Sequence, residues 1–162
     1  MIRDAARGGR PFSRVLNKAA GMIARVLLID GDDVTRKRYA ESLRSEGFDV
    51  TAVSDAHGLI VLALASRAEV VVTDANPRGA IDGIEVTRRL RNDDRTRSIR
   101  VVVLNAVDDD EGQAKARAVG CSAVLERRCE PAVLASEIHR LVAERPMNES
   151  LNGAPTCREQ AK

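Results

Sequence analysis

Aromatic side chains are almost missing from this chain: no tryptophan, one tyrosine and two phenylalanines among 162 residues, or 2%. Its core must therefore be assembled from Val, Leu, Ile and Ala. Cysteine is scarce as well. Cys121, Cys129 and Cys157 show neither a CxxC pair nor a Cys/His metal spacing. An odd count with no secretory signal points to reduced thiols and a cytoplasmic location. Two histidines, His57 and His139, are too few and too scattered for a histidine metal site, and both are expected at the surface. No apolar run is long enough to span a bilayer. Charge of one sign is lacking too: 26 basic against 24 acidic residues leave a formal +2, which argues against a nucleic-acid partner. What remains is ordinary for a soluble globular protein, with 44% hydrophobic and 31% charged residues. The length suits one domain with a proper core, plus tails.

What the chain does have is a set of short apolar runs, each ending on a polar residue. Val70-Val71-Val72-Thr73-Asp74 is the clearest, a β-branched run closing on a lone carboxylate. Such continuous runs suit strands buried on both faces of a parallel sheet. Val26-Leu27-Leu28-Ile29-Asp30, Val101-Val102-Val103-Leu104-Asn105 and Ala123-Val124-Leu125-Glu126-Arg127 finish in the same manner. In open parallel sheets ligands sit beyond the carboxyl ends of the strands, where the strand order reverses. Stacked side by side, these runs gather Asp30, Asp74, Asn105 and Arg127 around one crevice.

In chain order, residues 1–24 are basic, with Arg3, Arg7, Arg10, Arg14 and Lys18 against a single Asp4. Phe12, Val15, Leu16, Ala19 and Ile23 fall at helical spacing, yet Met22 stands just before the first strand. This extension is expected to be a disordered or spurious leader, or a partly formed amphipathic helix. Residues 25–144 alternate strand and helix five times. The first helix runs to about Glu46 with Tyr39, Ala40 and Leu43 inward, and Gly47 closes it. Asp55 is expected to cap a second helix, apolar nearly all round over residues 59–64. A third buries Ile84, Val86, Thr87 and Leu90 and turns Arg88, Arg89 and Arg91 outward. A polar connector over residues 92–98 follows. Asp108 to Glu111 place acid at the start of a fourth helix, as its dipole favours. Pro131 opens a fifth, whose stripe is Leu134, Ile138, Leu141 and Val142. Residues 145–162 are polar and read as a disordered tail.

Strand runs ending in Asp30 and Asp74, then Asp82-Gly83-Ile84-Glu85-Val86, then residues 101–106, together resemble the receiver domain of two-component response regulators, of the stand-alone chemotaxis type. The resemblance covers roughly residues 25 to 144. It implies a flavodoxin-like, doubly wound sheet of five parallel strands in the order 2-1-3-4-5, flanked by five helices. It also implies that Asp74 matches the aspartate that accepts a phosphoryl group from a histidine kinase or phosphotransfer protein. Mg²⁺ would supply charge neutralisation, on Asp30 and Asp74 with Asp32 as a further candidate. Asn105 and Arg127 match the remaining site positions.

The sequence departs from that family pattern at several positions. Gly31 stands where the family carries a second acid, and Asp32 is better placed to cap a helix than to reach a metal. Asn105 replaces a hydroxyl residue, although its amide can still donate a hydrogen bond. Arg127 replaces a lysine, keeping the charge but changing its shape. Arg128 replaces a proline held by a cis bond, which costs about 3 kcal/mol before any other residue, so another loop path is expected. Val124 replaces the aromatic switch residue, and the proline after Asp74 is shifted toward it. The expected outcome is a receiver whose phosphorylation is impaired, not an enzyme on other molecules, with output through a downstream protein partner. An alternative is a pseudo-receiver that works by binding alone, with Asp74 salt-bridged to Arg127. A more distant one reads Asp30 and Asp32 as the DxD pair of a haloacid dehalogenase-like phosphatase. The short chain and the unexplained Asp82-Gly83 count against it.

Overall fold

A computed structural model describes residues 23–75 and 82–144. The leader expected over residues 1–24 (all but its last two), the middle of the loop after Asp74, and the tail over 145–162 lie outside the described residues.

Five strands, β1 (Arg25–Ile29), β2 (Asp49–Val53), β3 (Val70–Asp74), β4 (Arg100–Asn105) and β5 (Ala123–Glu126), form one sheet in the order β2-β1-β3-β4-β5. Every pairing is parallel. The all-aliphatic runs occupy the centre: Val70, Val71, Val72, Val101, Val102 and Val103 are wholly buried. The more polar β2 and β5 take the edges. Side chains alternate strictly between the two faces. Val26, Leu28, Val72, Val102 and Leu104 pack under α1 (Asp33–Ser45) and α5 (Pro131–Ala143). Leu27, Ile29, Val71, Val101 and Val103 pack under α2 (Leu59–Ala65), α3 (Gly83–Asn92) and α4 (Asp110–Ala118). The layers are mostly aliphatic, at about 1.5–3 kcal/mol per fully buried Val, Leu or Ile. The core is not built from Val, Leu, Ile and Ala alone, however: Tyr39 and Phe48 are buried in the first layer.

Helix starts follow their acids. Asp32 caps α1 through Thr35 N–H (2.7 Å), Asp82 caps α3 through Glu85 N–H (2.8 Å), and Asp109 caps α4 through Gly112 N–H (2.8 Å). Each such cap contributes about 1 kcal/mol.

Several expectations are corrected. Asp55 does not cap α2: its carboxylate accepts His57 N–H (2.8 Å), and Gly58, at φ 62°, is the cap residue. The turn is closed by the aspartate, and glycine then supplies the left-handed step. His139 is not at the surface but 6% exposed, stacked on Phe48 with ring centroids 4.5 Å apart. It lies one helical turn beyond the buried Ala135, so the stripe of α5 is wider than its aliphatic residues alone suggest. Arg91 does not point outward. Its guanidinium donates to the carbonyls of Gly120, Arg97 and Ile99 and ties α3 to two loops. The polar connector hides one residue: Thr96 is wholly buried, its hydroxyl donating to Leu90 O at 2.9 Å. On α2, Leu59 and Ala63 face the core while Val61 and Leu64 stay exposed among the described residues.

Candidate functional site

β1 lies between β2 and β3, so the chain leaves β1 in one direction and returns on its other side. The carboxyl ends of β1 and β3 flank that reversal, and each ends in an aspartate. Asp30, just past β1, is 4% exposed, and its carboxylate accepts Asp32 N–H at 2.8 Å. Burial pushes its pKa above the ordinary carboxylate value. The Asp32 N–H opposes that rise, while the neighbouring charges of Asp74 and Asp32 add to it. Asp74 closes β3 with a side chain 13% exposed.

Arg127 comes to Asp74 from two strands away. Its backbone N–H donates to Asn105 O (2.6 Å), extending the β4–β5 ladder one residue past Glu126. That contact sends the side chain back across β4, where Nε and one terminal nitrogen both bond Asp74 Oδ1, at 2.9 and 2.5 Å. The pair is charge-assisted and mostly screened from water, with side-chain exposures of 35% and 13%. Asn105 is 2% exposed and directs its amide to Asp109 O at 3.0 Å, which ties β4 to the cap of α4. Asp32 spends one carboxylate oxygen on Thr35 N–H, facing α1. The structure thus brings Asp30, Asp74 and Arg127 together and gives Asp32 and Asn105 bonds to the surrounding loops.

Two supporting contacts hold the frame. The backbone of Gly83 passes so close to β3 that a Cβ there would lie 2.5 Å from Asp74 O, so the Asp82-Gly83 pair is a cap followed by an obligatory close approach. Behind Arg127, Tyr39 OH donates to Cys129 O at 2.9 Å, anchoring the β5–α5 loop to α1. Among the described residues no peptide bond is cis, and Arg128 runs at φ 156° with its N–H on Glu126 O.

One participant was missed by sequence reasoning. Arg36 donates from a terminal nitrogen to Asp30 O (2.8 Å) and pairs with Asp33. A cue existed: a cation in the first turn of a helix opposes the dipole and asks for a specific partner.

A model of the response regulator receiver domain matches residues 26–139. The chain belongs to that family. Response regulator PleD of Caulobacter vibrioides is 25% identical over 120 residues, which cover 74% of this chain and 26% of PleD. Transcriptional regulatory protein CseB of Streptomyces avermitilis is 26% identical over 117 residues, 72% of this chain and 48% of CseB. The receiver thus spans about a quarter to a half of these relatives' lengths. Among solved structures, chemotaxis protein CheY4 of Vibrio cholerae superposes with a TM-score of 0.68 at 22% identity. That match covers 74% of this chain and 99% of CheY4 and bears on the fold alone. No helix among the described residues is long and apolar enough to cross a membrane.

Receiver domains of two-component signalling generally bind Mg²⁺ and interact with histidine kinases or phosphotransfer proteins. The donor set here does not fit that ion. Magnesium asks for hard oxygen ligands in a near-octahedral shell. Gly31 contributes no side chain, and one oxygen of Asp32 is bonded to Thr35 N–H. One carboxylate oxygen of Asp30 accepts Asp32 N–H, and Asp74 Oδ1 is taken by Arg127. No cluster of three or more His, Cys, Asp or Glu residues suited to a metal occurs among the described residues.

Proposed function

We propose that this receiver takes a phosphoryl group on Asp74 from a phosphohistidine of a histidine kinase or phosphotransfer protein, at a reduced rate, and signals through a downstream protein partner. In that reaction a carboxylate oxygen of Asp74 attacks phosphorus. The phosphorus–nitrogen bond breaks, the imidazole leaves with the electron pair, and an acyl phosphate forms on Asp74. Such transfer is largely positioning and charge stabilisation. The observation that carries the reading is Asp74 itself, a partly exposed carboxylate at the strand-order reversal, with the Arg127 fork already upon it. After transfer the same fork can move onto phosphoryl oxygens. The cost falls before transfer, because Arg127 must loosen from Oδ1 to let phosphorus approach. The domain acts on no other molecule as an enzyme; its chemistry is confined to its own side chain.

The Arg127–Asp74 pair also supports a second reading, a pseudo-receiver that binds partners without being phosphorylated. Incubation with acetyl phosphate, with and without Mg²⁺, followed by intact-mass measurement, separates the two. A phosphate adduct that vanishes in Asp74→Asn supports the acceptor. No adduct on folded, monodisperse protein supports the pseudo-receiver, and an adduct that survives Asp74→Asn refutes the site assignment.

A further inference from the structure

The mismatch between family and site has a structural cause, and it lies in the charges around the crevice. Asp30 and Asp74 sit at neighbouring strand ends, β1 beside β3, and the charge of Asp74 raises the cost of ionising Asp30. Two such carboxylates need a counter-charge. Here that charge is covalently part of the chain. Arg127 places two donors on Asp74 Oδ1, and Arg36 places one on Asp30 O while its charge favours ionised Asp30. A divalent ion entering between the aspartates would meet the Arg127 guanidinium already on Asp74.

We infer that Arg127 is the resident counter-cation of Asp74, holding the charge position that a divalent ion would otherwise take, so that the crevice binds Mg²⁺ only when Arg127 is removed or displaced. Arginine suits this role better than lysine. Its fork is planar, remains charged at any accessible pH, and holds geometry through two bonds to one oxygen. A lysine at this position would bring a single hydrated ammonium on a flexible stem, easier to displace. The backbone bond from Arg127 to Asn105 O supplies the preorganisation. It anchors the residue at the sheet edge, so the side chain is aimed before any partner arrives. The pairing belongs to the unphosphorylated carboxylate, so the inference does not depend on the acceptor chemistry.

The test is metal binding, read without any phosphoryl donor. Amide spectra of the full chain would be recorded in a Mg²⁺ titration, and again with Mn²⁺, whose unpaired electrons broaden nearby resonances. The proteins compared are wild type, Arg127→Gln, Arg127→Lys and Asp74→Asn. Arg127→Gln is expected to bind Mg²⁺ at least about tenfold more tightly than wild type, because a like charge leaves the site. Arg127→Lys should fall between them, and broadening should centre on residues around Asp30 and Asp74. Should Arg127→Gln fail to fold, the wild-type protein still decides. Its Arg127 Nε–H resonance should stay in place through the Mg²⁺ titration, and Asp74→Asn should shift it. Wild-type binding as tight as that of Arg127→Gln, or loss of the Nε–H signal on adding Mg²⁺, overturns the inference. Failure of phosphorylation with acetyl phosphate would leave this result untouched, so the two proposals fail separately.

Discussion

Replacing Gly83 by alanine tests how the acceptor is held. An alanine Cβ would lie 2.5 Å from Asp74 O, 2.9 Å from Asp74 C and 3.1 Å from Thr73 Cγ2. Ordinary contact begins near 3.5 Å, so the shortfall against the carbonyl is about 1 Å. None of the three neighbours can simply rotate away. Two are backbone atoms of β3, and the third is a methyl on the wholly buried Thr73. The strain must go into moving α3 off the sheet or turning the Asp74 peptide. Overpacking of this kind costs about 1–3 kcal/mol. Alanine's better helix propensity returns at most about 1 kcal/mol, and less at a first helical position. The expected net loss is about 1–2 kcal/mol. With a urea slope of about 1–3 kcal/mol per molar, the unfolding midpoint should fall by roughly 1 M. Circular dichroism at 222 nm against urea, on wild type and Gly83→Ala, measures this directly. A second signature is specific to the site: the acetyl phosphate adduct on Asp74 should drop even in the fraction that remains folded. A midpoint equal to or above that of the wild type would refute the reasoning, since it would mean that Gly83 does not abut β3.

Tyr39→Phe removes the donor to Cys129 O and should cost about 1 kcal/mol, read in the same urea experiment; a neutral result would mean that this bond does not hold the β5–α5 loop. His139 carries a pH prediction. Burial holds its pKa below the ordinary 6.5, with the charge of Glu46 opposing, so the unfolded chain binds the proton more readily than the fold does. The stabilising contribution is therefore present above the ordinary value and lost as pH falls through the folded one. Stability should fall as pH drops below the ordinary 6.5 in wild type and less so in His139→Leu, and equal slopes would remove His139 from the account. Gly31→Asp would add an oxygen donor beside Asp30. Its Mg²⁺ affinity should rise above wild type, most of all when combined with Arg127→Gln; unchanged affinity in both would mean that the crevice is built around other groups.

Much of the fold was legible because its signals are local. Four aliphatic runs bounded by helix-period segments suffice to call a parallel sheet, since a strand buried on both faces has no room for alternation. Asp32 and Asp109 mark helix starts through a bond to an N–H three residues on, a distance that sequence can see, whereas the Asp82 cap emerged only from the structure. The strand order came through resemblance rather than periodicity, and the observed 2-1-3-4-5 sheet agrees with it. Where sequence reasoning failed, the deciding contact was remote or depended on a face's width. Arg91 reads as a surface cation until Gly120, 29 residues away, turns out to be its acceptor. His139 reads as polar until Phe48, on another segment, supplies the surface against which it stacks.

The candidate site divides along the same line. Sequence alone determined that Asp30, Asp74, Asn105 and Arg127 follow strands, and parallel pairing then carries them to one edge. It also marked Gly31, Val124 and Arg128 as departures from the family pattern. Only the tertiary structure decided how those residues are used. Arg127 and Asp74 are 53 residues apart in sequence, and their bond exists because β4 lies between their strands and aims the arginine inward. Arg36 reaches Asp30 because the start of α1 folds back over β1. Charge compensation depends on distances of a few ångströms between side chains, and those distances are properties of the packed sheet, not of the chain order.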